Sequence, residues 1–160
     1  MIQRTLVLLK PDAVQRQLVG QIIERFERVG LKIVGIKMVW PDKEFAKKHY
    51  AEHVGKPFYK TLESYLTEEG PIIAMVLEGV EAISVVRKIV GSTEPSKALP
   101  GTIRGDFAMH SYAHADSINS AVRNLIHASD SEESAKREIS LWFSDNELFE
   151  YKTVHEKHVF

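Results

Sequence analysis

Apolar residues run without a break through Leu6-Val7-Leu8-Leu9, then recur every three or four positions at Val14, Leu18, Ile22, Phe26 and Val29. The first pattern predicts a strand over residues 3–10, covered on both faces and therefore central in its sheet. The second predicts one amphipathic helix, opened by Pro11 and Asp12 and closed by Gly30. Residues 31–39, LKIVGIKMV, read as a second strand whose alternation slips near Gly35, the mark of a bulge. After the turn Trp40-Pro41-Asp42, two shorter helices are expected over 42–53 and 57–67, parted by Gly55-Lys56-Pro57. Residues 72–77 form a third strand, and residues 81–90 a helix that turns Ile83, Val86 and Ile89 or Val90 inward before Gly91. The stretch 91–106 is turn-rich and poor in apolar residues, an irregular segment of a length usually tied to function. A short fourth strand ends near His127, and Asp130 with Glu133 reads as the cap of a helix through Trp142. The tail from Ser144 to Phe160 is irregular, yet Leu148, Phe149, Tyr151, Val154 and Phe160 give it enough apolar surface to pack on the body.

This order, with two βαβ units around one four-stranded antiparallel sheet, describes a ferredoxin-like α/β (α+β) sandwich, βαββαβ. A doubly wound nucleotide fold needs more strands and a glycine-rich turn after the first. Neither is present. The 160 residues suffice for one domain with its own core. Twenty-one Lys and Arg against 22 Asp and Glu exclude a polybasic nucleic-acid or membrane binder as the default. Residues 1–60 nevertheless carry a net +6 and residues 61–160 a net −7. That asymmetry fits basic groups around an anion site or merely two solvated faces. The absence of cysteine excludes disulfides, thiolate metal sites and thiol catalysis. Lys10-Pro11-Asp12 ends the first apolar stretch too early for a signal peptide or a membrane span, so a cytoplasmic location is expected.

No phosphate-loop or dinucleotide spacing occurs. Gly101-Thr102-Ile103-Arg104-Gly105-Asp106 reads as a tight loop presenting one guanidinium, which suits anions. Lys10 ends a central strand just before a helix start, where α/β folds open their ligand crevice. Alone it reads more often as a lysine snorkelling at a strand end. Arg87 alone reads as a surface salt-bridge partner. His127 says more: small polar side chains surround it, and Glu138 on the next helix is placed to accept a ring proton. A neutral imidazole oriented in that way is a good nucleophile for phosphorus. His49 and His53 lie four apart on one helical face, a possible metal pair, but no third ligand of suitable spacing follows. His110, His114 and Asp116 fall in a polar stretch read as a surface loop.

Four segments, LVLLKPDAVQRQLVGQIIERFE (6–27), VVRKIVGSTEP (85–95), PGTIRGD (100–106) and NLIHASDSEESAKREISLWF (124–143), together closely resemble the nucleoside diphosphate kinase family. The likeness runs in order from about residue 3 to residue 151. It implies the sandwich already inferred, and γ-phosphoryl transfer from a nucleoside triphosphate to a nucleoside diphosphate through a phosphohistidine, with Mg²⁺ held by the nucleotide and no direct protein ligand. On this resemblance His127 is the phosphorylated residue, Glu138 the carboxylate holding its ring, and Ser129 a bridge to that carboxylate. Lys10, Arg87, Thr93 and Arg104 match phosphate-binding groups, and Tyr50 the tyrosine beside the phosphohistidine. Asn124, with the lysine, matches the group that engages the ribose 3′-hydroxyl; Phe58 matches the aromatic that stacks on the base.

The resemblance further implies a homo-oligomer larger than a dimer, a hexamer before a tetramer, with Pro95 in a loop of subunit contacts. No nucleic-acid or membrane partner is expected. Two departures stand out. Ala128 follows the histidine where the family usually has Gly, tolerable if its φ is negative. Roughly ten residues within 108–123 exceed the common family length and are read as an insertion near the nucleotide. Competing readings are an idle nucleotide-sensing domain, which the presence of His127 and Glu138 opposes, and a phosphotransferase acting on a macromolecule.

Overall fold

In the computed structural model, which describes residues 1–160, the strands are β1 (Ile2–Leu9), β2 (Lys32–Val39), β3 (Ile72–Val80) and β4 (Ile126–Ala128). They form one sheet in the order β2-β3-β1-β4, and every pairing is antiparallel. The expected ferredoxin-like architecture is the one observed. β1 lies inside the sheet, and its unbroken apolar run has a plain cause. Val7 and Leu9 join the core beneath α1 (Pro11–Gln15), α2 (Val19–Glu27) and α5 (Ala82–Val90). Leu6 and Leu8 point the other way, to a second layer with Leu66 and Trp142 from α4 (Tyr59–Thr67) and α8 (Glu132–Trp142). Successive strand side chains alternate between faces, so covering both requires both to be apolar. α3 (Lys43–His49) completes that second layer.

Several expectations change in detail. The helix expected over 11–29 is two helices. Gln17 takes a left-handed conformation (φ 57°), and Leu18 N–H donates to the Ala13 carbonyl at 3.0 Å, a Schellman end. The break separates two duties: α1 buries Asp12 and Ala13, whereas α2 turns Ile22 and Phe26 into the core. The bulge at Gly35 is present between β2 and β3. Glycine suits the close approach there, because a Cβ would meet a Leu148 methyl at 2.9 Å and the Glu147 carbonyl oxygen, which is backbone, at 3.0 Å.

The stretch 91–106 is more ordered than expected. It holds a 3₁₀ turn (Pro95–Lys97) and opens α6 (Ile103–Phe107), whose N-cap Thr102 accepts the Gly105 N–H at 3.0 Å. Ser131, not Asp130, caps α8 by accepting the Ser134 N–H; Asp130 instead takes the Ser134 hydroxyl at 2.7 Å. The segment 108–123 is no free loop. It contains α7 (Tyr112–Ser117), capped by Ser111 and tied down by Tyr112 N–H to Glu94 (3.1 Å) and Arg123 N–H to His110 Nδ1 (3.0 Å). The tail packs as expected and crosses β2, where Phe149 N–H donates to the Val34 carbonyl and Tyr151 Oη to that of Ile33. It ends in α9 (Glu156–Val159), and no helix is long and apolar enough to cross a membrane.

Candidate active site

β4 is only three residues long, too short to hold a catalytic group by its own ladder. What holds it is the turn that enters it. Leu125 has φ 68°, and Ile126 N–H donates to the Asn124 carbonyl two residues back, a γ-turn of the strained kind. Each polar group of this turn has a partner. Leu125 N–H donates to Asp12 Oδ2 (3.1 Å), and the Leu125 carbonyl accepts from Lys10 N–H (2.8 Å). Arg104 donates to the carbonyls of Asn124 (3.1 Å) and Ile126 (2.5 Å), with a third bond to Gly91. The Asp12 carboxylate also accepts the buried Tyr65 hydroxyl at 2.5 Å. Strain of about 1–3 kcal/mol persists only where the surroundings over-determine it, as they do here.

Beyond this turn opens a cavity of about 590 Å³. Of the ten residues matched by resemblance, nine line it, among them Lys10, Tyr50, Arg87 and His127. Phe58 stands half-exposed among them, its ring 5.6 Å from His53. Ser129 alone lies behind the wall, 1 % exposed. From there its hydroxyl donates to Glu138 Oε2 at 2.6 Å. The same oxygen is 2.9 Å from His127 Nε2. A carboxylate only accepts, so Nε2 carries the ring proton and Nδ1 keeps its lone pair. Burial alone would raise the Glu138 carboxyl, but the bonds from His127 and Ser129 outweigh it and hold the group below its ordinary range. Ala128 has no positive φ, so its methyl strains nothing.

Lys10 Nζ donates to Asn124 Oδ1 at 2.8 Å, and Asn124 Nδ2 to the Thr93 carbonyl at 2.9 Å. Burial, and next the Arg104 guanidinium, press the Lys10 ammonium down to about 8, against an upward pull from Asp12. Arg104 is likewise lowered to about 10, by burial and then by Arg87. Cations held close in a partly dry cleft lower their neighbours' hold on a proton and favour negative charge beside them.

The two histidines weighed as a metal pair part company. His53 lies 3.2 Å from Lys56 Nζ, whereas His49 is buried with its Nδ1 accepting the Trp142 indole N–H at 3.2 Å. Tyr112 and Asp116 of the expected insertion line the cavity; His110 and His114 do not. Asp12, Tyr65 and Trp142 also belong to the site, and no sequence pattern marks them as such. The two-residue spacing of Lys10 and Asp12 is the one local clue, since it lets the Lys10 N–H meet the Leu125 carbonyl while the Asp12 carboxylate accepts the Leu125 N–H.

The chain matches the family described as "Nucleoside diphosphate kinase" over residues 3–148. It is 58% identical over 149 residues to the nucleoside diphosphate kinase of Pyrococcus horikoshii, covering 93% of this chain and 90% of that one. A solved structure of the Borrelia burgdorferi enzyme, a transition-state mimic with bound vanadate and ADP, superposes with a TM-score of 0.95 at 45% identity, covering 99% of this chain and 96% of that one. The Halobacterium salinarum enzyme in complex with CDP gives 0.89 at 44% identity, with 100% and 99% covered. A phosphate-seeking cleft, an oriented imidazole and these likenesses agree: the chain belongs to the nucleoside diphosphate kinase family, and its activity is phosphoryl transfer between nucleoside triphosphates and diphosphates.

Proposed function

We propose that His127 is the nucleophile of this transfer and acts through Nδ1. The observation that carries the reading is the Glu138–His127 Nε2 contact of 2.9 Å, which leaves the other ring nitrogen unprotonated in the neutral ring. The Nδ1 lone pair forms a bond to the γ-phosphorus as the bond from that phosphorus to the β,γ-bridging oxygen breaks. The diphosphate leaves, and the ring, now bearing positive charge, is stabilised by Glu138. A terminal oxygen of a second nucleoside diphosphate then takes the phosphoryl group by the reverse path. Lys10, Arg87 and the free N–H groups of Arg104 meet the charge on the phosphoryl oxygens, with Thr93 at the phosphates. Tyr50 stands beside the phosphohistidine. Asn124 and Lys10 take the ribose hydroxyl. Phe58 offers the base a stacking face without base-specific bonds, which suits broad base specificity.

The cleft suits phosphate more than bare metal: Lys and Arg side chains line it, and no three His, Asp or Glu side chains converge as a cation site. Mg²⁺ on the nucleotide would neutralise phosphate charge during transfer. Residues 1–160 are read as a single domain in which 108–123 is an insertion shaping the nucleotide periphery. The protein is read as a homo-oligomer, a hexamer before a tetramer. Support comes from exposed Ile36, Met38 and Trp40 on or beside edge strand β2. A cytoplasmic location accords with free nucleotides as substrates.

The test uses the purified protein, labelled ATP and Mg²⁺. The wild type should yield an acid-labile, base-stable phosphoprotein that converts added GDP to GTP. His127→Ala should form neither while retaining its fold and its nucleotide affinity. Normal transfer by His127→Ala would overturn the assignment.

A further inference from the structure

α3 ends at His49, which packs directly against the nucleophile and has no part in the chemistry above. Its side chain is 4 % exposed, and its ring stands edge to face with that of His127, centroids 4.9 Å apart at 85°. Trp142, from α8, closes the other side at 5.4 Å and 82°, with its indole N–H on His49 Nδ1. An indole nitrogen only donates, so Nδ1 must present a lone pair. The proton of the neutral ring is therefore on Nε2, which is sealed from solvent without a partner.

A second proton could enter only at Nδ1, displacing the indole. The resulting cation would face Lys10 at the end of β1, His127 on β4, His53 after α3 and Arg137 on α8, with the Tyr50 ring alongside. None of these supplies a negative charge, and the Glu138 carboxylate is already bonded to His127 and Ser129. Burial first, then these neighbours, hold the His49 imidazole well below its ordinary range.

We propose that Trp142 and His49 form a neutral lock behind the nucleophile: the indole fixes His49 as its Nε2-protonated tautomer, and the uncharged ring positions His127 without placing a charge beside it. This rests on His127 being the nucleophile. A charge on His49 would oppose the positive charge that His127 develops as its bond to phosphorus forms. His49 and Trp142 are positioning residues.

The first measurement needs no turnover, so it fails or succeeds separately from the role of His127. In nitrogen-15 NMR of the unliganded protein, His49 should show a protonated Nε2 and a bare Nδ1, unchanged from pH 8 to pH 5.5. The opposite tautomer, or titration of His49 within that range, overturns the lock. The second measurement uses Trp142→Phe, which removes the donor and leaves Nδ1 free. His49 should stay neutral, because its burial and the surrounding cations persist, but its proton should divide between Nδ1 and Nε2, and turnover should fall at least threefold at pH 6 and pH 8 alike. An Nε2-protonated tautomer kept unchanged in folded Trp142→Phe, or wild-type turnover in that variant, overturns the lock too.

Discussion

Burial has already weakened the hold of Lys10 on its proton, and that has a sign that can be measured. With its ammonium lowered to about 8 in the nucleotide-free protein, it is largely uncharged at pH 9. A bound phosphate favours the charged form, so nucleotide binding at pH 9 should take up a proton, and affinity should fall as pH rises through about 8. Calorimetry in two buffers of different ionisation heat reads that uptake directly. No uptake would leave Lys10 out of the phosphate grip. For the fold alone the sign is reversed: between about 8 and the unfolded value near 10.4 the unfolded chain binds more protons, so this group adds stability as pH rises. Lys10→Ala should lower turnover by at least ~10²-fold, the scale of losing one transition-state charge partner. Lys10 and His127 were readable from the sequence because strand ends and small polar neighbours are local signals. His49, Asp12 and Trp142 were not, because each takes its meaning from a partner 93 to 113 residues away. Arg104 was readable only by half. Three of its bonds brace backbone carbonyls, a use that no loop pattern announces.

Among the elements, the central strand, the bulge at Gly35 and the helix before Gly91 were legible because burial writes a period into the chain. The break at Gln17 was not, since the apolar spacing of α1 runs on through α2 while a single left-handed residue redirects the axis. α6 was hidden for another reason: two glycines and a proline disguise a short helix as a loop. Gly105 shows why glycine is there. A Cβ at that position would lie 2.0 Å from the Leu99 carbonyl oxygen, which is backbone and cannot swing aside. Gly105→Ala should cost about 1–3 kcal/mol and move Arg104 with it. Gly20→Ala makes the natural comparison, because nothing lies within 4 Å of a Cβ there. It sits in α2 and should gain a few tenths to about 1 kcal/mol. Urea denaturation of the two variants should show shifts of opposite direction, and equal shifts would contradict the steric reading.

Across the whole molecule, the charge asymmetry proves largely bland. Of the Lys and Arg side chains lining the cavity, only Lys10 comes from the basic first sixty residues; Arg87, Arg104 and Arg137 come from the acidic remainder. Field at the site is thus made by local placement and not by which half of the chain is basic. The tail and the segment 108–123 are both fastened to the body, one over β2 and one beside Glu94, so the frame around the cleft is built from elements distant in sequence. One further property follows from the cavity walls. The nucleophile, its carboxylate and the phosphate-binding cations proposed here all belong to a single copy of the chain. Neighbours in an assembly can then stabilise a protomer without lending it a reacting group. Mixed particles reconstituted from wild-type and His127→Ala copies should therefore lose turnover in linear proportion to the inactive fraction. A threshold or a steeper curve would mean that one copy's reaction depends on the next, and a straight line that each works as an independent engine in a shared housing.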